Sequence, residues 1–154
     1  TTERYVAVKG FERIESFSEG FAAIRKKGKW GYIDVSEKIQ IPCTYQSAGY
    51  FKNELARVSK KDQVGFINKK GKVVIGFLYD EASDFNVFGK NWSLVTRLDK
   101  VGIIDLQGNE LIPCQMDDIK QEDRQLLRIE KEGMIWYYDM QAGNYIWKEP
   151  ALEL

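Results

Sequence analysis

The sequence predicts an all-β repeat protein: a tandem array of four units of roughly 34 residues, each made of short antiparallel strands. Three observations carry that prediction. First, the segment Lys29-Trp30-Gly31-Tyr32-Ile33-Asp34 recurs as Val64-Gly65-Phe66-Ile67-Asn68, Val101-Gly102-Ile103-Ile104-Asp105 and Ile135-Trp136-Tyr137-Tyr138-Asp139, at spacings of 34, 37 and 34 residues. Second, other positions keep step with this anchor. Seven residues before it stand Ile24, Val58, Val95 and Ile129; ten before it, Phe21, Leu55, Trp92 and Leu126; ten after it, Ile41, Ile75, Ile112 and Ile146. Third, the runs between these marks are short, apolar and bounded by charged or glycine-bearing turns, the pattern of hairpins.

The first strand of a unit reads as Phe21 to Arg25 and ends at the turn Lys26-Lys27-Gly28-Lys29. Its counterparts are Lys60-Lys61-Asp62-Gln63, Arg97-Leu98-Asp99-Lys100 and Glu130-Lys131-Glu132-Gly133. The second strand, Trp30 to Asp34, leads into a turn opened by Asp34, Asn68, Asp105 or Asp139. An Asx side chain there can accept from the backbone two residues on. A third strand passes through Ile41 and is ended by Pro42 or Pro113. The rest of the unit spaces apolar residues by three (Tyr45, Ala48, Phe51; Tyr79, Ala82, Phe85), which fits one helical turn or a fourth, twisted strand. Each unit therefore offers about three strands, too few to bury a core alone. The units fall at 11–44, 45–78, 79–115 and 116–150, with 1–10 an edge strand or the tail of a preceding unit. The spacing of 37 places a three-residue insertion between Phe85 and Trp92. Two assemblies complete the core: an open, solenoid-like superhelical stack, or a propeller-like closed ring. Propeller blades usually take four strands and about 40 residues, so the short pitch favours the open stack.

Composition narrows the function. Lys plus Arg and Asp plus Glu number 23 each, so the overall charge gives no pull toward nucleic acid or an anionic membrane. No apolar run is long enough to span a bilayer as a helix. The absence of histidine removes the commonest metal ligand and the usual acid–base catalyst near neutral pH. The chain opens at Thr1 with no basic-then-apolar leader, which leaves cytoplasmic and exported locations equally open.

The anchor segment resembles the signature of the WG (or KWG) repeat family, widespread in bacteria. Gly71-Lys72, Ile41-Pro42, Ile112-Pro113, Tyr79-Asp80-Glu81-Ala82 with Phe85, and Gly20-Phe21-Ala22 with Ile24 match further parts of that family's unit. The likeness runs from Phe11 to about Trp147. Tryptophan holds its own slot only at Trp30, and the last unit puts Trp136 in place of the glycine and Trp147 in place of the proline. The resemblance implies a β-repeat fold with a binding or scaffolding role, and no defining catalytic residues.

The recurring Asp/Asn reads as turn capping, because calcium needs six to eight oxygens and each loop offers one acid. Cys43 and Cys114 lack a partner base and fall two units apart, so free and largely buried thiols are expected. Asp117-Asp118 and Glu122-Asp123 read as solvated acids rather than a glycosidase pair. No cofactor or metal is expected. The cations of the hairpin turns, Lys27, Lys61 and Arg97 among them, line one edge and suit either an anionic partner or simple edge protection. Trp92 fits a core slot beside the insertion that carries Phe88, and Trp136 and Trp147 crowd the last unit; these four read either as core and end-cap residues or as a candidate binding surface. The expected function is a non-catalytic module recognising protein or peptide. Next stands a carbohydrate-binding or cell-envelope module using exposed aromatics, and last a glycosidase-like enzyme.

Overall fold

The computed structural model describes residues 10–149, with side chains described to residue 146. Residues 1–9, expected as an edge strand or tail, lie outside it, as do 150–154. The chain forms four antiparallel sheets of four strands each, taken in order along the sequence. The first holds β1 (Arg13–Ile14), β2 (Phe21–Lys26), β3 (Lys29–Asp34) and β4 (Ile39–Tyr45). The second holds β5 (Ser47–Lys52), β6 (Leu55–Lys60), β7 (Gln63–Ile67) and β8 (Val73–Tyr79). The third holds β9 (Glu81–Ala82), β10 (Ser93–Arg97), β11 (Lys100–Ile104) and β12 (Glu110–Met116). The fourth holds β13 (Asp118–Gln121), β14 (Leu126–Lys131), β15 (Met134–Asp139) and β16 (Asn144–Glu149). One short 3-10 turn, Val87–Gly89, occupies the insertion.

The expectation of three strands per unit is corrected to four. The segment with apolar residues three apart is a strand, and a bulge explains the spacing. Ala48 pairs with Val58 and Phe51 with Ala56, so one extra residue sits on β5 between them and both side chains turn inward. Only one residue, Gln46, Asp80 or Asp117, separates the last strand of one sheet from the first strand of the next. These residues tie the junctions. Asp80 accepts from Gln63 Nε2 at 2.9 Å in the preceding unit and from the Leu98 amide at 2.9 Å in its own. Asp117 does the same with Lys100 Nζ and, at 2.8 Å, the Glu132 amide.

The hairpin between the second and third strands is built alike in every unit. Its two turn residues are left-handed in Lys27-Gly28, Lys61-Asp62, Leu98-Asp99 and Glu132-Gly133. Two positive φ angles in a two-residue loop give the primed turn whose twist matches the flanking strands. The anchor glycine has a separate task. Trp30 pairs with Tyr45 and Tyr32 with Ile41, so two steps along β3 face four along β4. The surplus backbone folds directly over Gly31, where a Cβ would lie 2.3 Å from the Ile41 carbonyl oxygen. Gly65 and Gly102 meet β8 and β12 in the same way, with nearest atoms at 2.7 Å.

Among the described residues the main contacts between sheets join consecutive sheets, and the first and fourth sheets do not pack together to that extent. The array is not closed into a ring. Cores lie mainly between neighbours: Phe51 of the second sheet stands edge-on to Phe21 and Tyr32 of the first, and Phe85 of the third to Phe66 of the second.

Candidate functional site

The outer strands β4, β8 and β12 differ where they meet solvent. Each exposes alternate residues: Gln40, Pro42 and Thr44 on β4; Val74, Gly76 and Leu78 on β8; Leu111, Pro113 and Gln115 on β12. Proline has no N–H to offer a further strand, and polar residues discourage edge pairing. In β8 both protections are gone. Its sequence Val73-Val74-Ile75-Gly76-Phe77-Leu78-Tyr79 has no charge and no proline, and Val73, Val74 and Leu78 are exposed.

A second feature runs across the first three sheets around Arg57. A depression of about 180 Å³ is lined by Glu15, Ala23, Trp30, Ser47, Ala48, Gly49, Tyr50 and Arg57. It adjoins one of about 420 Å³ that also includes Ser47 and Arg57 and runs on to Asp80, Glu81, Ser83 and Thr96. Arg57 Nη1 donates to the Ala82 carbonyl at 3.0 Å, and Nε lies 3.6 Å from Asp84 Oδ1. Gly49 makes the room: a Cβ there would stand 3.0 Å from the guanidinium. Beneath, the Tyr32 hydroxyl donates to the Gly49 carbonyl at 2.7 Å. Burial pushes the Tyr32 phenol far above its ordinary pKa, with the Arg57 charge opposing that shift in part. The residue therefore stays a neutral hydrogen-bond donor.

The residues singled out from sequence fall into separate places. Phe88, Trp92 and Trp136 are brought together, but as half-buried side chains on the core between the third and fourth sheets. Trp92 meets Tyr138 at 6.4 Å between ring centres, and Trp136 meets Tyr145 at 5.5 Å. Trp147 pairs through its backbone with Tyr137, and its side chain lies outside the described residues. Lys27 and Lys61 share one turn position, which Leu98 and Glu132 take in the other units, so the basic line is interrupted. Arg97 stands one position earlier, held by Glu110 at 3.4 Å and set over the Tyr79 ring at 5.5 Å. Lys61 does border a basic depression of about 370 Å³ with Lys29, Thr44, Gln46 and Lys60.

The recurring Asx residues cap their turns. Asp34 Oδ1 accepts from the Ser36 amide at 2.8 Å, Asn68 Oδ1 from Lys70 at 3.0 Å, Asp105 Oδ1 from Gln107 at 2.9 Å and Asp139 Oδ1 from Gln141 at 2.9 Å. Hydrogen bonds hold the Asp34 and Asp139 carboxyls below their ordinary pKa, first those from the Lys38 and Ala142 amides. Cys43 and Cys114 are free thiols, the first half-buried and the second buried, and burial raises the pKa of both. Among the described residues no cluster of three His, Cys, Asp or Glu side chains could hold a metal, and no helix is long and apolar enough to cross a membrane. Sequence reasoning missed the β8 edge, whose signal was Gly76 in the slot that Pro42 and Pro113 fill. It also missed Arg57, whose slot is otherwise Ala23, Leu94 and Arg128 and so carries no repeating signal.

Four four-stranded sheets linked by single residues, with a glycine under each bulge of the first three, define an all-β repeat protein. The repeat is recognisable by family: the WG containing repeat matches residues 9–30, 30–63, 65–95 and 102–134, and the chain belongs to that family. No curated protein matches it. Among solved structures it is similar to Hsv2 of Kluyveromyces lactis at 10% identity and TM-score 0.48, covering 93% of this chain and 52% of that one. It is also similar to a eukaryotic initiation factor at 14% identity and TM-score 0.49, covering 91% and 44%. A third is the dihydro-heme d1 dehydrogenase NirN, solved in complex with DHE, at 12% identity and TM-score 0.47, covering 90% and 37%. The chain thus spans about half or less of these structures.

Proposed function

We propose that the protein is a non-catalytic binding module that takes an extended segment of another protein as an added strand along β8. The observation that supports this is the one outer strand with neither proline nor charge, exposing Val73, Val74 and Leu78 beside a glycine where its counterparts β4 and β12 carry proline. In strand addition the main chain supplies hydrogen bonds, and alternate side chains supply selectivity. The test is selection of peptides from a random displayed library on the immobilised full chain. Enriched peptides should be extended and rich in alternating apolar residues. They should bind at least ten-fold more weakly to Gly76→Pro and to Leu78→Lys than to wild type. Gly76→Pro imports the residue found at the same position in the first and third sheets, so the fold has precedent for it. Peptides that bind Gly76→Pro and Leu78→Lys as tightly as wild type would overturn the reading.

A second reading, carbohydrate binding, has one observation in its favour. Tyr50 is exposed and Trp30 half-exposed in a depression that also offers Glu15, Ser47 and Arg57, an aromatic platform beside polar groups. A glycan array read with wild type and Tyr50→Ala decides it: binding lost in the variant supports the sugar site, and an empty array removes it.

A further inference from the structure

We infer that the junction between the first and second sheets is a binding site for a phosphate group, held in the depression lined by Lys29, Thr44, Gln46, Lys60 and Lys61. The chain makes three such junctions on one register, and they differ in how their cations are balanced.

Strand pairing fixes which residues correspond. Trp30 pairs with Tyr45, Val64 with Tyr79 and Val101 with Met116, so the residue that follows, Gln46, Asp80 or Asp117, holds one position. Its amide donates to the Ser59, Thr96 or Glu130 carbonyl, again one position. The hairpin ends pair alike, Lys26 with Lys29, Lys60 with Gln63, Arg97 with Lys100 and Lys131 with Met134. Lys29 therefore corresponds to Gln63 and Lys100, and Lys60 to Arg97 and Lys131.

The second and third junctions carry their own acids. Asp117 accepts from Lys100 Nζ, Asp80 accepts from Gln63 Nε2, and Glu110 holds Arg97 at 3.4 Å. The first junction has neither acid. Gln46 stands in the position of the aspartates, and Val73, paired with Ile67 as Glu110 is with Ile104, stands in that of the glutamate. Among the described residues no carboxylate lies within ion-pair distance of Lys29, Lys60 or Lys61. Lys60 instead sets its ammonium 5.0 Å from the centre of the Tyr45 ring and 6.0 Å from that of Phe77, contacts that place the side chain without cancelling its charge. The neighbouring acid is Asp62. Its carboxylate accepts from Gln46 Nε2 at 2.7 Å and its amide donates to Gln46 Oε1 at 2.9 Å, which engages both ends of that side chain.

Three ammonium groups and the Asp62 carboxylate leave two positive charges about a depression of about 370 Å³. A phosphate monoester carries close to two negative charges at neutral pH and presents three acceptor oxygens. It would stand to Lys29, Lys60 and Lys61 as the Asp117 carboxylate stands to Lys100, with the Thr44 hydroxyl as a further donor. The surplus of two charges favours such a group over a single carboxylate. The five lining residues are exposed, so binding weakens as salt rises. Free phosphate and the phosphate of a small organic ester share this chemistry.

The test is amide NMR of the full chain, titrated at constant ionic strength with inorganic phosphate, phenyl phosphate and acetate. Inorganic phosphate should shift the amides of Thr44, Gln46, Lys61 and Asp62 and saturate below about 10 mM, with acetate about ten-fold weaker. Phenyl phosphate binding more tightly than inorganic phosphate assigns the site to an ester, and binding more weakly assigns it to the free ion. Gln46→Asp installs the carboxylate that the other two junctions carry, so the fold has precedent for it. It should weaken phosphate about ten-fold, the scale of one charge-assisted hydrogen bond, while the uncharged Gln46→Asn retains binding. Lys29→Gln should weaken it to a similar degree without touching the Gln46–Asp62 pair. The proposal is overturned by phosphate that shifts none of these amides below about 10 mM, or by acetate that binds as tightly. Wild-type affinity in Gln46→Asp or in Lys29→Gln, or an equal loss in Gln46→Asn, overturns it as well.

Discussion

Replacing Gly31 by alanine tests the geometry on which the whole repeat turns. The added Cβ would stand 2.3 Å from the Ile41 carbonyl oxygen, 2.7 Å from the Pro42 carbonyl carbon and 2.8 Å from the Cys43 nitrogen. All three are backbone, so no rotamer relieves the clash. Reaching the ordinary contact limit of 3.4 Å means moving β4 by 1.1 Å, the difference between 3.4 and 2.3. Forcing extra volume into a packed site costs about 1–3 kcal/mol. The displacement also weakens the pairing of Tyr32 with Ile41, at about 1 kcal/mol per ladder bond. The sum predicts a loss of about 3 kcal/mol for Gly31→Ala. At Gly65 and Gly102 the nearest atoms are at 2.7 Å, the required shift is 0.7 Å, and about 1–2 kcal/mol is expected. Urea unfolding of the full chain, followed by tryptophan fluorescence and far-ultraviolet circular dichroism, gives the order. A Gly31→Ala midpoint equal to wild type, or a larger loss at Gly65 than at Gly31, would refute the crowding argument.

Three further outcomes follow from the same geometry. Phe51→Ala should lose about 3–5 kcal/mol and the half-exposed Phe17→Ala less than about 1 kcal/mol, read as urea midpoints, although both fill one slot of the repeat. For pH, Asp34, Asp80, Asp117 and Asp139 all titrate below the ordinary value of 3.8 in the folded chain, through hydrogen bonds from Lys38, Gln63, Lys100 and Ala142 in turn. Depressed carboxyls stabilise the fold above pH 3.8 and lose that contribution as pH falls through their folded values. Midpoints should therefore drop from pH 5 to pH 3, and drop less when all four are changed to Asn. The raised pKa of both thiols predicts slow alkylation by iodoacetamide at pH 8, with Cys43 modified before the more buried Cys114, as read by mass spectrometry of the peptides.

How much of this could be read from the letters depends on whether a feature is carried by one residue type at a fixed position. The anchor glycine is such a feature, since only hydrogen fits under a bulge, and it repeats three times. The Asx turn is another, because one short acceptor reaches two amides. The fourth strand is not, because the bulge between Ala48 and Phe51 turns its period of two into a period of three and mimics a helical turn. The junction staples hide for a different reason: Gln46, Asp80 and Asp117 do the same work with different atoms, and their partners lie 15–18 residues away. Aromatic content alone does not separate a core from a binding face: Phe88, Trp92 and Trp136 are half-buried against the core where the third and fourth sheets meet, and neighbouring sheets need apolar volume there.

The fourth unit shows how tightly residue and backbone are coupled. Where the other units jump by two residues at the glycine, β15 pairs continuously with β16: Ile135 with Glu149, Trp136 with Lys148, Tyr137 with Trp147. The single shift comes later, between Tyr137 and Tyr138, so no surplus backbone folds over position 136. The indole then has room to lie edge-on to Tyr145. The exchange of glycine for tryptophan and the missing bulge are therefore one event. A glycine anchors the bulged outer strand in the first three units, and the outer strand of the last lacks that bulge, keeping only the shift at Ile146. That shift sets Trp147 opposite Tyr137, where Ile41 stands opposite Tyr32 in the first unit. Ile146 therefore takes the slot of Gln40, Val74 and Leu111, which is exposed in every unit, and the count of ten residues from the anchor no longer marks the buried position once the bulge is lost.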